Sequence, residues 1–118
     1  MYTRPPVENW STSRATILGD AAHATLPYLA QGAAMAIEDG AVLARALKQE
    51  DNVADALKLY ERNRMERTQR VVDTSFANRS LFHQDSVADI RKAFANRDEG
   101  GDRNAWLYSY NPLTVDLV

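Results

Sequence analysis

The stretch that most constrains this chain runs from Arg14 to Leu47, RATILGDAAHATLPYLAQGAAMAIEDGAVLARAL. Thr16, Ile17 and Leu18 read as the buried end of a strand that stops at Gly19 and Asp20. A loop of small residues interrupted by Pro27 follows, and a long helix begins just after Gly32. Strand, Gly-Asp corner, loop and helix start in this order place polar groups where α/β sheets bind ligands, at the carboxyl ends of their strands. A single strand cannot satisfy its own backbone groups, so residues 15 to 18 call for pairing partners that the sequence does not visibly supply.

From Ala33 to Lys48 nearly every side of the expected helix carries Ala, Met, Ile, Val or Leu, the mark of a buried helix. Gly40 inside it costs about 1 kcal/mol relative to alanine, which predicts close approach of another backbone there. The pair Glu38 and Asp39 interrupts the apolar surface, and its expected role is to hold arginines of the next helix.

That next helix is predicted from about Val53 to about Phe82. Leu57, Tyr60, Arg64, Thr68, Val72 and Phe76 recur every three or four residues and define one face with polar residues in its middle. Arg62, Arg67, Arg70 and Arg79 mark the other side. They alternate with Glu61, Glu66 and Asp73, and the whole chain has a net charge of -2, so a solvated or salt-bridged face is expected rather than a nucleic-acid surface.

A third helix is predicted from Ser86 to Asn96, with Ser86 as N-cap, Asp89 in the capping-box position, and Val87, Ile90, Ala93 and Phe94 as its buried stripe. RDEGGDRN then breaks the helix. In the tail AWLYSYNPLTVDLV, Trp106, Leu107, Tyr108 and Tyr110 are expected to bury a large area by docking. At the other end, Pro5 and Pro6 impose extended or turn backbone, and Trp10 is expected to lie against a neighbouring surface. The organisation read from this is a connecting segment over 1–14, a strand, ligand loop and buried helix over 15–48, a helical region over 49–96, and a turn with an aromatic tail over 97–118.

The chain has no cysteine, which excludes a disulfide framework and a thiolate metal site, and no other metal site is expected. No run reaches the length of a membrane span or of a signal-peptide core, so a cytoplasmic protein is expected, with no membrane partner.

Within the central stretch, a carboxylate after a strand and a glycine accepts hydrogen bonds from vicinal hydroxyls, the usual fixing point for the polyol part of a nucleotide cofactor. Ala30, Gln31, Gly32, Ala33 and Ala34 carry little side-chain bulk into the helix, and the free N–H groups of a helix start stabilise negative charge. A lone histidine in such a loop, His23, reads as a packing or capping residue rather than a base.

The full string GDAAHATLPYLAQGAAMAIEDGAVLARAL resembles the C-terminal flavin motif of FAD-dependent aromatic hydroxylases, the single-component monooxygenases that include salicylate and 6-hydroxynicotinate hydroxylases. Gly19, Asp20, Ala21, Ala22, His23, Pro27, Gln31, Gly32, Glu38 and Asp39 match that motif in type and spacing. YERNRMER and WLYSYNP resemble the family's later helix and aromatic end. Ala30 departs from the pattern where the family has the first glycine of Gly-Gln-Gly, and Ala34 departs where asparagine is frequent.

The resemblance implies a fold that is mainly α with one short strand, the C-terminal segment of an α/β FAD/NAD(P)-binding, Rossmann-like flavoprotein hydroxylase. It implies that Gly19 and Asp20 bind FAD, with Asp20 on the ribityl hydroxyls. Pro27 would lie near the flavin ring, and the backbone of Gln31, Gly32, Ala33 and Ala34 would face the pyrimidine edge. NAD(P)H would be the co-substrate and a small aromatic (hydroxy)carboxylate the substrate. The family's Gly-x-Gly-x-x-Gly fingerprint is not in these residues, so the adenine and pyrophosphate contacts are expected on other chain and the segment is expected to be incomplete alone. A reading from another class is a non-catalytic helical module derived from such an enzyme, self-associating through the unpaired strand or the aromatic tail.

Overall fold

The structure, a computed structural model, describes residues 4–82, 86–89, 91–92 and 104–118. Two long helices dominate it. The first is preceded by a four-residue helix α1 (Asp20–His23) and a 3-10 turn at Pro27–Leu29. Then come α2 (Gly32–Gln49), α3 (Val53–Phe82) and a short α4 (Ala105–Tyr108). Asn52 starts α3, its side-chain oxygen accepting the Asp55 N–H at 3.2 Å.

The strand expected at residues 15–18 is not formed among the described residues. A single antiparallel bridge joins Ser11 to Thr16, and the backbone between them closes on itself. Thr12 N–H donates to the Ala15 carbonyl at 2.8 Å, and its hydroxyl accepts the Ala15 N–H at 3.0 Å. Ile17 N–H then donates to the Trp10 carbonyl at 3.2 Å. A strand is defined by its neighbours, and residues 10–17 find theirs in their own turn; Leu18, expected buried, is 41% exposed.

α2 packs along α3 through one face only. Met35, Asp39, Val42 and Ala46 are buried, at the spacing of a single stripe, whereas Ile37 is 74% exposed and Leu47 45%. The expectation of burial all round therefore fails, as does that of a backbone against Gly40. A Cβ there would meet nothing within 4 Å. Composition gave the apolar character of α2, but which side faces a neighbour is set by where α3 lies.

On α3 the buried stripe is Leu57, Tyr60, Arg64, Thr68, Val71 and Ser75. The expected Val72 is half-buried and Phe76 is exposed, because Leu57 to Ser75 is about five turns at 3.6 residues per turn and steps of four drift off the face. Two apolar clusters result. One gathers Trp10, Ala22, Val42, Ala46, Ala56, Leu59, Tyr60 and Leu117, and the other Met35, Val71 and Leu107.

Both chain ends enter these clusters. The Trp10 indole is buried and donates to the Val7 carbonyl at 3.1 Å. In the tail Leu107 and Leu117 are buried, while Tyr108, expected to dock, is 73% exposed. The Asn63 side chain donates to the Val118 carbonyl and accepts its N–H, both at 3.1 Å, and Arg45 donates to the Pro112 carbonyl at 2.9 Å. These ties hold the tail on α2 and α3.

Ser86 caps as expected, Asp89 N–H donating to its hydroxyl at 3.1 Å, but the Asp89 carboxylate accepts that hydroxyl at 2.7 Å, so the expected capping box is formed only in its Ser86 half. Val87 is exposed rather than buried, and Ile90, Ala93 and Phe94 lie outside the described residues. No helix of the described residues is long and apolar enough to cross a membrane.

Candidate functional site

Gly19 is the corner on which the site is built. Its backbone is at φ 59 and ψ -143, a conformation closed to residues with a side chain, and an added Cβ would lie 3.4 Å from that of Ala36 in α2. Its carbonyl accepts the N–H groups of Ala22 and His23, both at 2.9 Å, and so starts α1. Its own N–H donates 2.9 Å to Oδ2 of Asp39 on α2. Gly19 is buried and Asp20 is exposed, so the corner turns the Asp20 residue outward.

The loop from Ala24 to Gln31 returns over the start of α2. Pro27 is exposed and opens the 3-10 turn, which the Ala30 N–H closes on the Pro27 carbonyl at 2.9 Å. Ala30 then takes a left-handed conformation, φ 51, at the position where the resemblance calls for glycine. Gln31 is the N-cap of α2 but its side chain makes no capping bond. The first intrahelical bond runs from Met35 N–H to the Gln31 carbonyl at 2.8 Å, leaving the N–H groups of Gly32, Ala33 and Ala34 pointing out of the helix end. Ala33 is exposed, Gly32 and Ala34 half-buried, and the Cβ position of Gly32 faces the Thr25 methyl at 3.6 Å.

The seven sequence-predicted site residues thus fall on the corner, the loop and the α2 start, with Gly19 buried, Gln31, Gly32 and Ala34 half-buried, and Asp20, Pro27 and Ala33 exposed. As a cradle, these residues combine an exposed carboxylate residue, a helix start with no side-chain cap, and small glycine and alanine positions. An uncapped helix start of this kind stabilises negative charge beside it.

Behind the cradle lies a buried charge network. Asp39 and Arg64 are both fully buried, and Arg64 Nε donates to Asp39 Oδ1 at 2.6 Å. Asp39 Oδ2 also receives His23 Nε2 in a short contact. Burial alone would push the Asp39 carboxyl up; the hydrogen bonds from His23, the Gly19 N–H and Arg64 outweigh it and hold the carboxyl below its ordinary value. Burial likewise opposes the charge on Arg64, and Asp39 more than compensates, so that guanidinium is pushed up. Tyr60, whose hydroxyl donates to the Ile17 carbonyl at 3.0 Å, is pushed up by burial and by the charge of Asp39.

Glu38 extends the network by bridging Arg64 at 2.9 Å and a two-pronged Arg67, also at 2.9 Å. Arg67 continues to the tail, donating to the Trp106 and Leu107 carbonyls at 3.4 and 3.0 Å and stacking over the Tyr110 ring at 3.9 Å. The acidic pair therefore does hold arginines of α3. The arginine side is partly as expected: Arg67 finds its acid on α2 rather than on its own helix, and Arg70 lies 3.8 Å over the Trp106 ring.

His23 is a packing residue, buried with its ring 5.6 Å from that of Trp10. Arg4 was not singled out from sequence, yet its guanidinium donates to the Asp20 carbonyl at 3.1 Å and to that of Ala21, tying residue 4 to the corner. A surface-looking arginine beside two prolines carries no sequence signal for that contact. Among the described residues no group of carboxylates and imidazoles is arranged to hold a metal.

Comparison with known proteins bears on the same segment. A family model described as an FAD binding domain matches residues 4–75. The chain is 52% identical over its whole length to the 6-hydroxynicotinate 3-monooxygenase of Pseudomonas fluorescens, of which it covers 27%. It is 48% identical to 3-hydroxybenzoate 6-hydroxylase 1 of Aquipseudomonas alcaligenes, with 96% of this chain and 29% of that one aligned. With the 3-hydroxybenzoate 6-hydroxylase of Polaromonas naphthalenivorans (strain CJ2) the identity is 40%, over 92% of this chain and 28% of that one. The chain thus spans less than a third of the length of these three relatives. With its Gly19 corner, open helix start and acidic pair inside the matched residues, the chain belongs to the FAD-binding domain family of the flavoprotein aromatic hydroxylases.

Proposed function

We propose that this chain supplies the ring and ribityl wall of the flavin site in an NAD(P)H- and O2-dependent monooxygenase that hydroxylates a small aromatic (hydroxy)carboxylate. The observation that carries this is the Gly19–Asp39 hydrogen bond, which holds Gly19 against α2 beside Ala36 and leaves the next residue, Asp20, exposed, while the N-terminus of α2 has no side-chain cap. FAD, when bound, supplies the redox chemistry: it takes electrons from NAD(P)H and activates O2 for transfer of one oxygen atom to the ring.

The chain's own residues bind and orient. Asp20 accepts hydrogen bonds from the ribityl hydroxyls. The N–H groups of Gly32, Ala33 and Ala34 and the α2 dipole stabilise negative charge on the ring edge without a mobile side chain. Pro27 lies near the ring and helps exclude water from its face. The substrate class follows the relatives, whose names are those of hydroxynicotinate and hydroxybenzoate oxygenases. With under a third of their length, the chain is expected to act as part of a larger enzyme, its cofactor-site partners supplied by other residues.

The test is a chimera in which this chain replaces the matching segment of the Pseudomonas fluorescens relative. The purified chimera is expected to carry FAD and to couple NAD(P)H oxidation to hydroxylation, and Asp20→Ala in it to lose FAD. A folded chimera that binds no FAD, or an Asp20→Ala form that binds FAD unchanged, would overturn the reading.

A further inference from the structure

We infer that Asp39 is the positioning residue of this flavin corner: three donors converge on its carboxylate, and through Gly19 it sets the conformation that presents Asp20. The inference rests on the function proposed above and assigns the corner's geometry to a residue outside the cradle itself.

The argument begins with what the corner lacks. α1 is a single turn of four residues, too short to hold a shape alone, and its N-cap Gly19 has no side chain with which to cap it. The left-handed backbone at Gly19 is one of many available to glycine, so something outside the corner must select it. Arg4 grips the carbonyls of Asp20 and Ala21 from one side, but Arg4 is itself exposed. On the other side Gly19 N–H meets Asp39 Oδ2 at 2.9 Å, inside a fully buried site.

The chemistry there requires a carboxylate. Gly19 N–H and His23 Nε2 reach Oδ2, and Arg64 Nε reaches Oδ1 at 2.6 Å. An ionised carboxylate is acceptor-only on both oxygens and satisfies donors from both directions at once. An amide of the same shape has one acceptor and one donor end, so it must turn an N–H toward Gly19 and His23 or toward Arg64. Arg64 in turn donates to the Met35 carbonyl at 3.3 Å, in the first turn of α2. One buried carboxylate thus fixes the Gly19 corner relative to the helix start that forms the opposite side of the cradle. Glu38 is the natural control, since it binds the same Arg64 and also Arg67 but does not touch Gly19.

Two measurements test this, with Asp39→Asn and Glu38→Gln. In the 118-residue chain, amide hydrogen exchange followed by NMR is expected to be about tenfold or more faster at Gly19, Ala22 and His23 in Asp39→Asn, as befits loss of a charge-assisted hydrogen bond, and near wild type there in Glu38→Gln. In the chimera, Asp39→Asn is expected to raise the FAD dissociation constant by about tenfold or more and to shift the bound-flavin absorbance spectrum, with Glu38→Gln changing either little. Unchanged exchange at Gly19 in Asp39→Asn overturns the inference. So does loosened exchange with unaltered FAD affinity and spectrum, which would make Asp39 structural only. If Asp39→Asn leaves the chain unfolded, Asp39→Ser, small enough to admit a water, takes its place with the same expectations. A parent chimera without FAD refutes the proposed function instead, and the exchange arm still decides whether Asp39 sets the corner.

Discussion

Arg64 on α3 and Asp39 on α2 form a fully buried ion pair, Nε to Oδ1 at 2.6 Å, at the centre of the helix interface. Removing Arg64 leaves the buried Asp39 carboxylate with the Gly19 and His23 donors but without its arginine partner. Arg64→Met is therefore expected to lose about 3–5 kcal/mol, a large part of what a small domain has. The double variant Asp39→Leu with Arg64→Met is expected to regain only part of that loss, because Gly19 N–H and His23 then lack their acceptor. Urea denaturation of the two single variants and the double variant measures the coupling, and losses that simply add would contradict the pair's role.

Ala30 and Gly19 make opposite backbone predictions. Ala30 carries a side chain at φ 51, so Ala30→Gly is expected to stabilise the chain by up to about 1 kcal/mol. Gly19→Ala forces a Cβ into a glycine-only conformation 3.4 Å from Ala36 and is expected to cost about 1–3 kcal/mol. Thermal melts of both variants show whether the midpoints move in opposite directions.

The pH dependence of stability has two limbs with known signs. Asp39 is held below its ordinary value in the folded state, so its contribution is complete above about pH 4 and is lost as pH falls through the lowered folded value. Tyr60 is raised in the folded state, so its contribution is complete below about pH 10 and is lost as pH rises toward the higher folded value. Denaturation midpoints from pH 2 to 11 are expected to fall at both ends. Tyr60→Phe is expected to flatten the alkaline limb while losing about 1 kcal/mol throughout for the hydrogen bond to Ile17.

The tail's contribution is concentrated in one residue. Leu117 is buried in the cluster that holds Trp10, Val42 and Tyr60, and Leu117→Ala is expected to cost about 2–4 kcal/mol. Tyr108 is 73% exposed, and Tyr108→Ser is expected to change stability by less than about 0.5 kcal/mol. Equal effects of the two in urea titrations would mean that the tail does not dock through Leu117.

Helix content was legible in the sequence because it is local. Val53–Phe82 is bounded where its pattern predicts, and Glu38 and Asp39 meet arginines of the next helix as their interruption of an apolar surface suggests. The departures have two causes. Burial at Gly40, Ile37 and Leu18 depends on a neighbour that only a three-dimensional arrangement provides: the Cβ position of Gly40 meets nothing within 4 Å, and Ile37 and Leu18 are 74% and 41% exposed. Val72 and Phe76 were placed by counting in fours, whereas the face follows 3.6 residues per turn.

By itself the sequence determined the two long helices, the family and the residue types of the cradle from Gly19 to Ala34, since propensity, capping and motif spacing act over a few residues at a time. Tertiary structure alone decided what holds that cradle in shape. The convergence of Gly19, His23 and Arg64 on Asp39 joins positions 19, 23, 39 and 64, and so does not exist until α2 and α3 pack and exclude water. Only then does a carboxylate that would be unremarkable in an unfolded chain become the acceptor that three buried donors require.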